Sequence, residues 1–152
     1  MEQEGFIHYE ISNFALKGFF SKHNLGYWQN RKYLGLGPSA NSYDGLSRQW
    51  NISLNNKYIE LINQSRKFYD NEILDNITKY NDYILTSLRT MWGIDLKFIN
   101  KEFGKEIYNN CVNIAEKYIK YSKAIKKDDK IILTDEGKFI SDQIITDFMG
   151  VE

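Results

Sequence analysis

The residues best suited to chemistry form one short cluster, residues 23–28 with the sequence HNLGYW. A neutral imidazole such as that of His23 is a common axial ligand of haem iron, and tyrosine and tryptophan offer flat faces with polar edges. Lys22 and Arg31 could pair with the carboxylates of such a ligand, and Gly26 lets the backbone approach it closely. The same residues also suit a structural loop whose aromatic rings pack onto the domain beneath it. Both interpretations stay open on these residues alone.

A second candidate site is the segment GLGPSA, which follows a predicted strand and contains Gly35 and Gly37. Glycine turns expose backbone N–H groups that can bind phosphates or carboxylates. The segment is neither a P-loop nor a complete GxGxxG fingerprint, so a plain tight turn is the competing interpretation.

Polar side chains also follow the first predicted strand of the chain. Glu10, Ser12 and Asn13 lie where this strand ends, and strand ends carry ligand-binding groups in barrel proteins. The polar start of a surface loop explains the same three residues equally well.

Charge and hydropathy exclude several classes of function. The 152-residue chain has 20 acidic and 20 basic side chains, and zero net charge gives no general attraction for nucleic acid. Its apolar runs are too short for a transmembrane helix, and its acidic first residues do not resemble a secretory signal peptide. We therefore expect a cytoplasmic protein with no nucleic acid as its partner.

The single cysteine, Cys111, limits the cofactors that the chain can hold by itself. It cannot form an internal disulfide, which suits the reducing cytoplasm. An iron–sulfur cluster needs several thiolates, and two histidines with one cysteine do not complete a tetrahedral Cys/His zinc site. Because Cys111 lies on the apolar face of a predicted helix, we expect an inert thiol in the core.

Residues 6–50 read as irregular and strand-rich. The β-branched and aromatic residues at 6–11 predict a short strand that breaks at Ser12-Asn13. Residues 33–38 predict another strand that runs into the glycine turn. The segment 13–32 between them reads as a long loop, and such loops are usually functional in compact domains.

From Leu54 onward the apolar spacing becomes helical. Asn55 or Asn56 would cap the first helix. The mainly apolar face of this helix is formed by Tyr58, Leu61, Ile62, Ser65 and Tyr69. Residues 70–77 then read as a linker.

Three further helices follow in the prediction, and start and stop residues mark their ends. The second helix ends near Gly93, Asp95 caps the third, and Gly104 closes it. A fourth helix has its apolar face at Ile107, Cys111, Ile114, Tyr118 and Tyr121.

The chain closes with a predicted β-hairpin around the charged tip 126–130 and a last helix capped by Thr134. Over residues 78–149 this order of elements is that of a winged helix, which suggests DNA reading. The would-be recognition helix has no arginine for bidentate base contacts, and glutamates offset its lysines. A structural or protein-docking wing is therefore the other interpretation of this domain.

Several motifs of the chain, in the same order, resemble the HemW-type proteins, which are radical-SAM relatives of the oxygen-independent coproporphyrinogen III oxidase HemN. The motifs are YEISNFA at 9–15, HNxxYW at 23–28, YLGLGPSA at 33–40, RQWN at 48–51, YNxYIxTSLRTxWGIDL at 80–96 and LTxxG at 133–137.

The resemblance implies an α+β fold in which the end of a partial radical-SAM barrel, made of short strands and loops, precedes a mainly helical, winged-helix-like C-terminal domain. It implies a barrel piece at residues 1–53, a connecting helix and linker at 54–77, and the C-terminal domain at 78–152. The barrel piece would have unpaired edges, so we expect it to dimerise through them, giving a homo-oligomer, or to fold back on the helical domain.

The resemblance also implies a function, that of a haem chaperone that binds haem and passes it to an acceptor haem protein. Its haem-binding residues would be His23, Asn24, Tyr27 and Trp28, with His23 linked to the iron. The intact parent would carry a [4Fe-4S] cluster and S-adenosylmethionine, which this chain cannot hold, so we expect no radical chemistry from the chain itself. The enzyme-class alternative is coproporphyrinogen III oxidation in porphyrin biosynthesis.

The barrel face that meets the cofactors in the parent would include Glu10, Ser12, Asn13, Gly35 and Gly37. One departure from the family pattern is Asn41, which stands where many relatives have a histidine; an amide is a much poorer ligand for iron. The second histidine of the chain, His8, lies on the first predicted strand, and we expect a structural role for it.

Overall fold

The computed structural model of the protein describes residues 2–150. Helices make up 46% and strands 23% of the chain, which confirms the predicted α+β class. Residues up to Gln29 together with those from Asn76 onward form one compact unit, and Asn30–Asp75 form a second. Backbone contacts thus divide the chain at other positions than the segments 1–53, 54–77 and 78–152 that the resemblance implies. Those segments remain a prediction.

The first unit begins with a β-hairpin. A short 3₁₀ helix, Glu2–Glu4, leads into strand β1, Phe6–Glu10, which pairs antiparallel with strand β2, Asn13–Leu16. This confirms the predicted strand at 6–11 and its break at Ser12.

The hairpin folds back onto the helical part of the same unit. The N–H of Ile11 donates to the carbonyl of Arg89 at 3.0 Å, and the N–H of Met91 donates to the carbonyl of Tyr9 at 3.0 Å. Folding back was one of the two arrangements predicted for the barrel piece, and the hairpin follows it. Residues 30–50 belong to the second unit.

The predicted loop at residues 13–32 is wrong, because this segment holds strand β2 and a helix, α1, Lys22–Trp28. The Oγ atom of Ser21 accepts a hydrogen bond from the N–H of Asn24 at 3.3 Å and caps the helix. Serine is a strong N-cap, but Gly26 and the aromatic residues inside α1 have low helix propensity. A helix this short also has too few turns to show a periodic pattern.

The second unit is a small sheet with one helix. Strands β3, Asn41–Tyr43, β4, Ser47–Asn51, and β5, Tyr69–Ile73, pair antiparallel in the order β3-β4-β5. Helix α2, Asn55–Asn63, connects the last two strands. Leu61 is the residue of α2 that is fully buried, so the helix packs through one point of its apolar face.

The predicted helix up to Tyr69 and the predicted linker at 70–77 are wrong. Helix α2 ends at Asn63, and Tyr69 begins a strand that pairs with all five residues of β4. Ser65 has a φ of 52°, and the N–H of Arg66 turns back to the carbonyl of Leu61 at 2.8 Å. This left-handed residue ends the helix, although the apolar spacing continues past it by coincidence.

Two smaller predictions in this unit also fail. Helix α2 starts without a side-chain cap, so the predicted cap at Asn55 or Asn56 is wrong. In the predicted strand at 33–38, Tyr33 forms an isolated bridge with Tyr43, and no regular strand follows.

The helical part of the first unit has the predicted order of helices, hairpin and closing helix. Its strands pair in the order β6-β8-β7. None of the helices within residues 2–150 is long and apolar enough to cross a membrane. The elements are α3, Asn76–Leu88; β6, Ile94–Asp95; α4, Leu96–Lys120; β7, Ala124–Lys127; β8, Lys130–Leu133; α5, Asp135–Lys138; and α6, Ser141–Phe148.

Three predicted capping residues are confirmed. Oδ1 of Asp95 accepts from two N–H groups of the first turn of α4, at 2.9 and 3.1 Å. Gly104, with a φ of 86°, interrupts α4 where the predicted third helix ends. The Oγ1 atom of Thr134 accepts from the N–H of Gly137 at 3.1 Å. The predicted last helix differs, because the structure divides it into α5 and α6.

The hydrophobic core lies among these helices and the β7–β8 hairpin. Cys111 is fully buried in it, as predicted. Burial raises the pKa of its thiol to about 12, and the nearby Tyr80 hydroxyl donates to the carbonyl of Phe148 at 2.8 Å. The residues of this core are Tyr80, Ile84, Leu88, Ile94, Leu96, Ile99, Cys111, Ala115, Tyr118, Ala124, Ile131, Leu133, Ile144, Ile145 and Phe148.

The buried thiol gives a first testable prediction. At pH 8, a thiol reagent such as Ellman's reagent should label Cys111 in the native protein slower than in the guanidinium-unfolded protein by a factor on the order of 10³, because the reactive thiolate is suppressed. The measurement is absorbance of the released thionitrobenzoate, with Cys111→Ser as the blank. Complete labelling of the folded protein within minutes would contradict an inert core thiol.

Candidate functional site

Helix α1 presents His23 and Tyr27 on its exposed face. These residues are four apart and therefore lie on the same side of the helix. Their rings meet edge to face, with centroids 4.9 Å apart and an interplanar angle of 89°. The imidazole nitrogens of His23 have no hydrogen-bond partner within the described part of the chain. His23 is thus an accessible imidazole beside a flat aromatic ring.

The other two residues of the motif lie on a different face of α1. Trp28 is half-buried, and the guanidinium carbon of Arg89 lies 5.5 Å from the centre of its ring. Such a cation–π contact is worth about 0.5–2 kcal/mol. Asn24 contributes its backbone N–H to the cap of the helix. The structure therefore brings His23 and Tyr27 together, whereas Trp28 and Asn24 hold the helix in place.

The indole Nε1 atom of Trp28 is a further feature of this face. It is buried and has no hydrogen-bond partner among residues 2–150. A buried donor without a partner is unusual and costs about 1–3 kcal/mol. The site therefore contains a donor that the described chain leaves unsatisfied.

Arg89 follows helix α3 and binds the buried carboxylate of Glu10. Its Nε and Nη2 atoms donate to Oε1 of Glu10 at 3.2 and 3.1 Å. The side chain of Glu10 is 1% exposed and that of Arg89 is 24% exposed. Low exposure strengthens such a pair and makes the loss of either partner costly.

The second oxygen of Glu10 organises the end of strand β1. Oε2 accepts from the backbone N–H of Ser12 at 3.1 Å and from the side-chain amide of Asn13. The structure thus brings together the three residues predicted at this strand end. Each oxygen of the carboxylate thus accepts two hydrogen bonds from residues of this chain. This arrangement gives Glu10 a structural role.

Phe20 connects the hairpin to the start of α1. Its ring stacks on Tyr9 at 4.8 Å and meets Trp92 edge to face at 6.2 Å. Sequence reasoning missed both Phe20 and Arg89 as part of the site. Arg89 could have been found from its place in the motif at 80–96, which is one of the motifs that resemble those of the HemW-type family.

His8 makes structural contacts on strand β1. Its ring stacks on Phe14 with centroids 4.0 Å apart, Nε2 lies 2.9 Å from the carbonyl oxygen of Ile11, and Nδ1 lies 3.2 Å from Nζ of Lys138. Both ring nitrogens therefore have partners in the chain, in agreement with the structural role that we predicted. His23 differs in this respect.

Gly35 and Gly37 belong to the second unit, and a tight turn follows Gly37, closed by the N–H of Ala40 donating to the carbonyl of Gly37 at 3.3 Å. The N–H of Gly35 donates to the Ser42 hydroxyl at 3.0 Å, and that of Gly37 to the Tyr58 hydroxyl at 3.3 Å. A Cβ atom on Gly35 would lie 2.2 Å from the carbonyl oxygen of Asn41, so only glycine fits there. The side chains of the unit thus satisfy the N–H groups that the sequence offered as an anion site.

The residues present do not fit an iron–sulfur cluster. Within residues 2–150, no group of three or more His, Cys, Asp or Glu residues is placed to hold a metal ion. The one cysteine of the chain is buried in the core, and a cluster requires several thiolates. A single accessible imidazole such as His23 does fit an axial ligand of haem iron.

The fold of the chain is HemN-like. The chain superposes on the solved structure of coproporphyrinogen III oxidase (HemN) from Escherichia coli, a radical SAM enzyme, with a TM-score of 0.72 and 15% identity. The match covers 97% of this chain and 38% of that chain. At this identity the likeness concerns the fold alone.

Sequence comparison identifies relatives of the chain. The heme chaperone HemW of Bacillus subtilis is 29% identical over 151 residues, which is 99% of this chain and 40% of that protein. The mitochondrial radical S-adenosyl methionine domain-containing protein 1 of Danio rerio is 50% identical over 40 residues, or 26% of this chain. No family model matches the chain.

These comparisons confirm the resemblance predicted from the motifs. The chain is similar to heme chaperone HemW proteins in sequence and to HemN in fold. It spans about two fifths of the length of the HemW relative that it matches.

The buried ion pair gives a prediction about stability. Arg89→Ala leaves the Glu10 carboxylate buried without its partner and should lower the free energy of unfolding by about 3–5 kcal/mol. Urea unfolding followed by circular dichroism measures this change. The matched control is Arg66→Ala, because Arg66 is exposed and contacts Gln64 at the surface; it should shift stability by less than about 0.5 kcal/mol. Equal free energies of unfolding for the two variants would show that the ion pair does not stabilise the fold.

Proposed function

We propose that this chain is the haem-binding part of a haem-chaperone-like radical-SAM protein, and that it holds haem at α1 for transfer to an acceptor haem protein. The observation that carries the proposal is His23, whose accessible imidazole has no partner in the described chain and stands beside the ring of Tyr27. Haem is the cargo in this proposal. The similarity of 99% of this chain to about two fifths of a heme chaperone supports it.

Each residue of the motif has a distinct role in the proposed site. The imidazole of His23 binds the haem iron, since neutral imidazole is a standard axial ligand. The ring of Tyr27 contacts the flat face or the edge of the macrocycle. Trp28, through Arg89, and Asn24, through the cap of α1, keep His23 oriented. A site on an exposed helix suits a cargo that must leave again.

The remaining features belong to the proposed full-length parent. It would carry a [4Fe-4S] cluster and S-adenosylmethionine, and the barrel piece that meets them would include Glu10, Ser12, Asn13, Gly35 and Gly37. It would be a cytoplasmic protein, and dimerisation through barrel edges remains part of the proposal.

The second candidate function is coproporphyrinogen III oxidation, the activity in the name of the HemN structure whose fold the chain shares. That chemistry depends on the cluster, which one buried cysteine cannot supply. The chain itself therefore acts by binding in either case. Decarboxylation of coproporphyrinogen by the reconstituted full-length protein would favour the oxidase.

The charges of the helical domain argue against the third interpretation, DNA binding. Lysines on α4 and after it pair with carboxylates of the chain: Lys97 with Asp129, Lys117 with Asp147, and Lys123 with Glu136, each at 2.7 Å. Hydrogen bonds to these lysines hold the pKa of all three carboxyls below the ordinary range. Phosphates would have to compete with these internal partners.

Haemin titration tests the proposal. The chain should show a saturable Soret shift, and His23→Ala should weaken haemin binding by at least about tenfold because it removes the iron ligand. The matched control is His8→Gln, which removes the only other imidazole of the chain and should retain binding. Equal haemin affinities of the wild type and His23→Ala would overturn the haem site on α1.

A further inference from the structure

We infer that Gly26 determines the specificity of the His23 site, because it keeps the helix surface beside the imidazole open for a planar macrocycle. The inference rests on the proposed function and adds a residue that lies between the named members of the HNxxYW motif. It predicts that the size of the side chain at position 26, and not only the ligand at position 23, decides whether haem binds.

Position 26 is next to His23 on the surface of α1. Residues three apart on a helix are neighbours on one face. Side chains on a helix also lean towards its N-terminus, so a side chain at position 26 would cover the turn that carries His23. Gly26 leaves this area without any side-chain atoms.

The space above Gly26 is open in the structure. Apart from the adjacent residues and the backbone of the helix, no atom of the described chain lies within 4 Å of a Cβ atom built there. A larger residue would therefore meet no steric conflict inside the protein. Its side chain would instead occupy the space next to the imidazole.

The fold gives no reason for a glycine at this position. Gly93 has a φ of 64° and a Cβ there would lie 2.0 Å from a carbonyl oxygen, and Gly35 has a similar close contact at 2.2 Å. Gly26 has neither a positive φ nor a close neighbour. In the interior of a helix, glycine is less favourable than alanine or leucine. Gly26 thus weakens α1 without any packing benefit within the described chain.

A planar ligand explains this glycine. A macrocycle held by its central metal on the imidazole of His23 extends sideways over the helix surface in all directions. It would pass over the neighbouring position 26, where a side chain would push it away from the imidazole. A compact ligand of the same imidazole would not reach that far, so the effect of a larger residue is specific to wide, flat ligands.

The experiment compares Gly26→Leu, Gly26→Ala and His23→Ala with the wild-type chain in haemin titrations followed by Soret absorbance. Gly26→Leu should bind haemin at least about tenfold more weakly, although its resistance to urea should not decrease, because leucine favours the helix. The haemin affinity of Gly26→Ala should lie between those of the wild type and Gly26→Leu. The matched control is Gln29→Leu, which adds the same side chain at an exposed position at the end of α1 and should bind as the wild type does.

A second readout separates blocked access for the macrocycle from a damaged histidine. Diethylpyrocarbonate is a small reagent for neutral imidazole, and it should modify His23 in Gly26→Leu within about twofold of the wild-type rate, because the imidazole stays accessible. Peptide mass spectrometry distinguishes His23 from His8. Loss of haemin binding with unchanged modification of His23 supports the inference.

The outcomes distinguish the two proposals. If His23→Ala abolishes haemin binding and Gly26→Leu binds as tightly as the wild type, the role of Gly26 is overturned and the haem site stands. If His23→Ala binds as tightly as the wild type, the haem site itself fails and the inference fails with it. If Gly26→Leu loses both haemin binding and resistance to urea, position 26 is structural and the inference is overturned.

Discussion

The ion pair between Glu10 and Arg89 is the interaction on which the first unit depends. It joins residues 79 positions apart in the sequence, at the end of strand β1 and after helix α3. A buried carboxylate needs both charge compensation and hydrogen bonds, and Glu10 obtains them from Arg89, Ser12 and Asn13. The hairpin end is therefore held in one place against the helical domain.

The same arginine also decides where the candidate site lies. Its guanidinium is held by Glu10 on one side and faces the ring of Trp28 on the other. Trp28 is at the end of α1, so this contact fixes the inner face of the helix and leaves His23 and Tyr27 outside. Stability of the hairpin and orientation of the proposed haem ligand are thus properties of one network, in which Arg89 is the shared member.

Predictions from the sequence succeeded where the signal is local. Asp95, Gly104 and Thr134 each act within one or two turns of their own position, so their residue types were enough to place the ends of helices. Helix α1 and strand β5 were missed for opposite reasons. Helix α1 is too short and too aromatic to show a helical period. In strand β5, the aromatic Tyr69 happens to fit the helical spacing of α2, although Ser65 has already ended that helix.

The amino-acid sequence alone indicates the order of elements in the helical domain, shows that one cysteine is too few for an iron–sulfur cluster, and contains the motifs that resemble the HemW-type proteins. These features depend on residue types, counts and short spacings. The folded structure adds that the motif at 23–28 is a helix with two faces, that Arg89 joins Glu10 and Trp28, and that Gly26 is open on its outer side. Such features depend on contacts between distant residues, and no local spacing in the sequence specifies which distant partner a buried charge or an aromatic ring will meet.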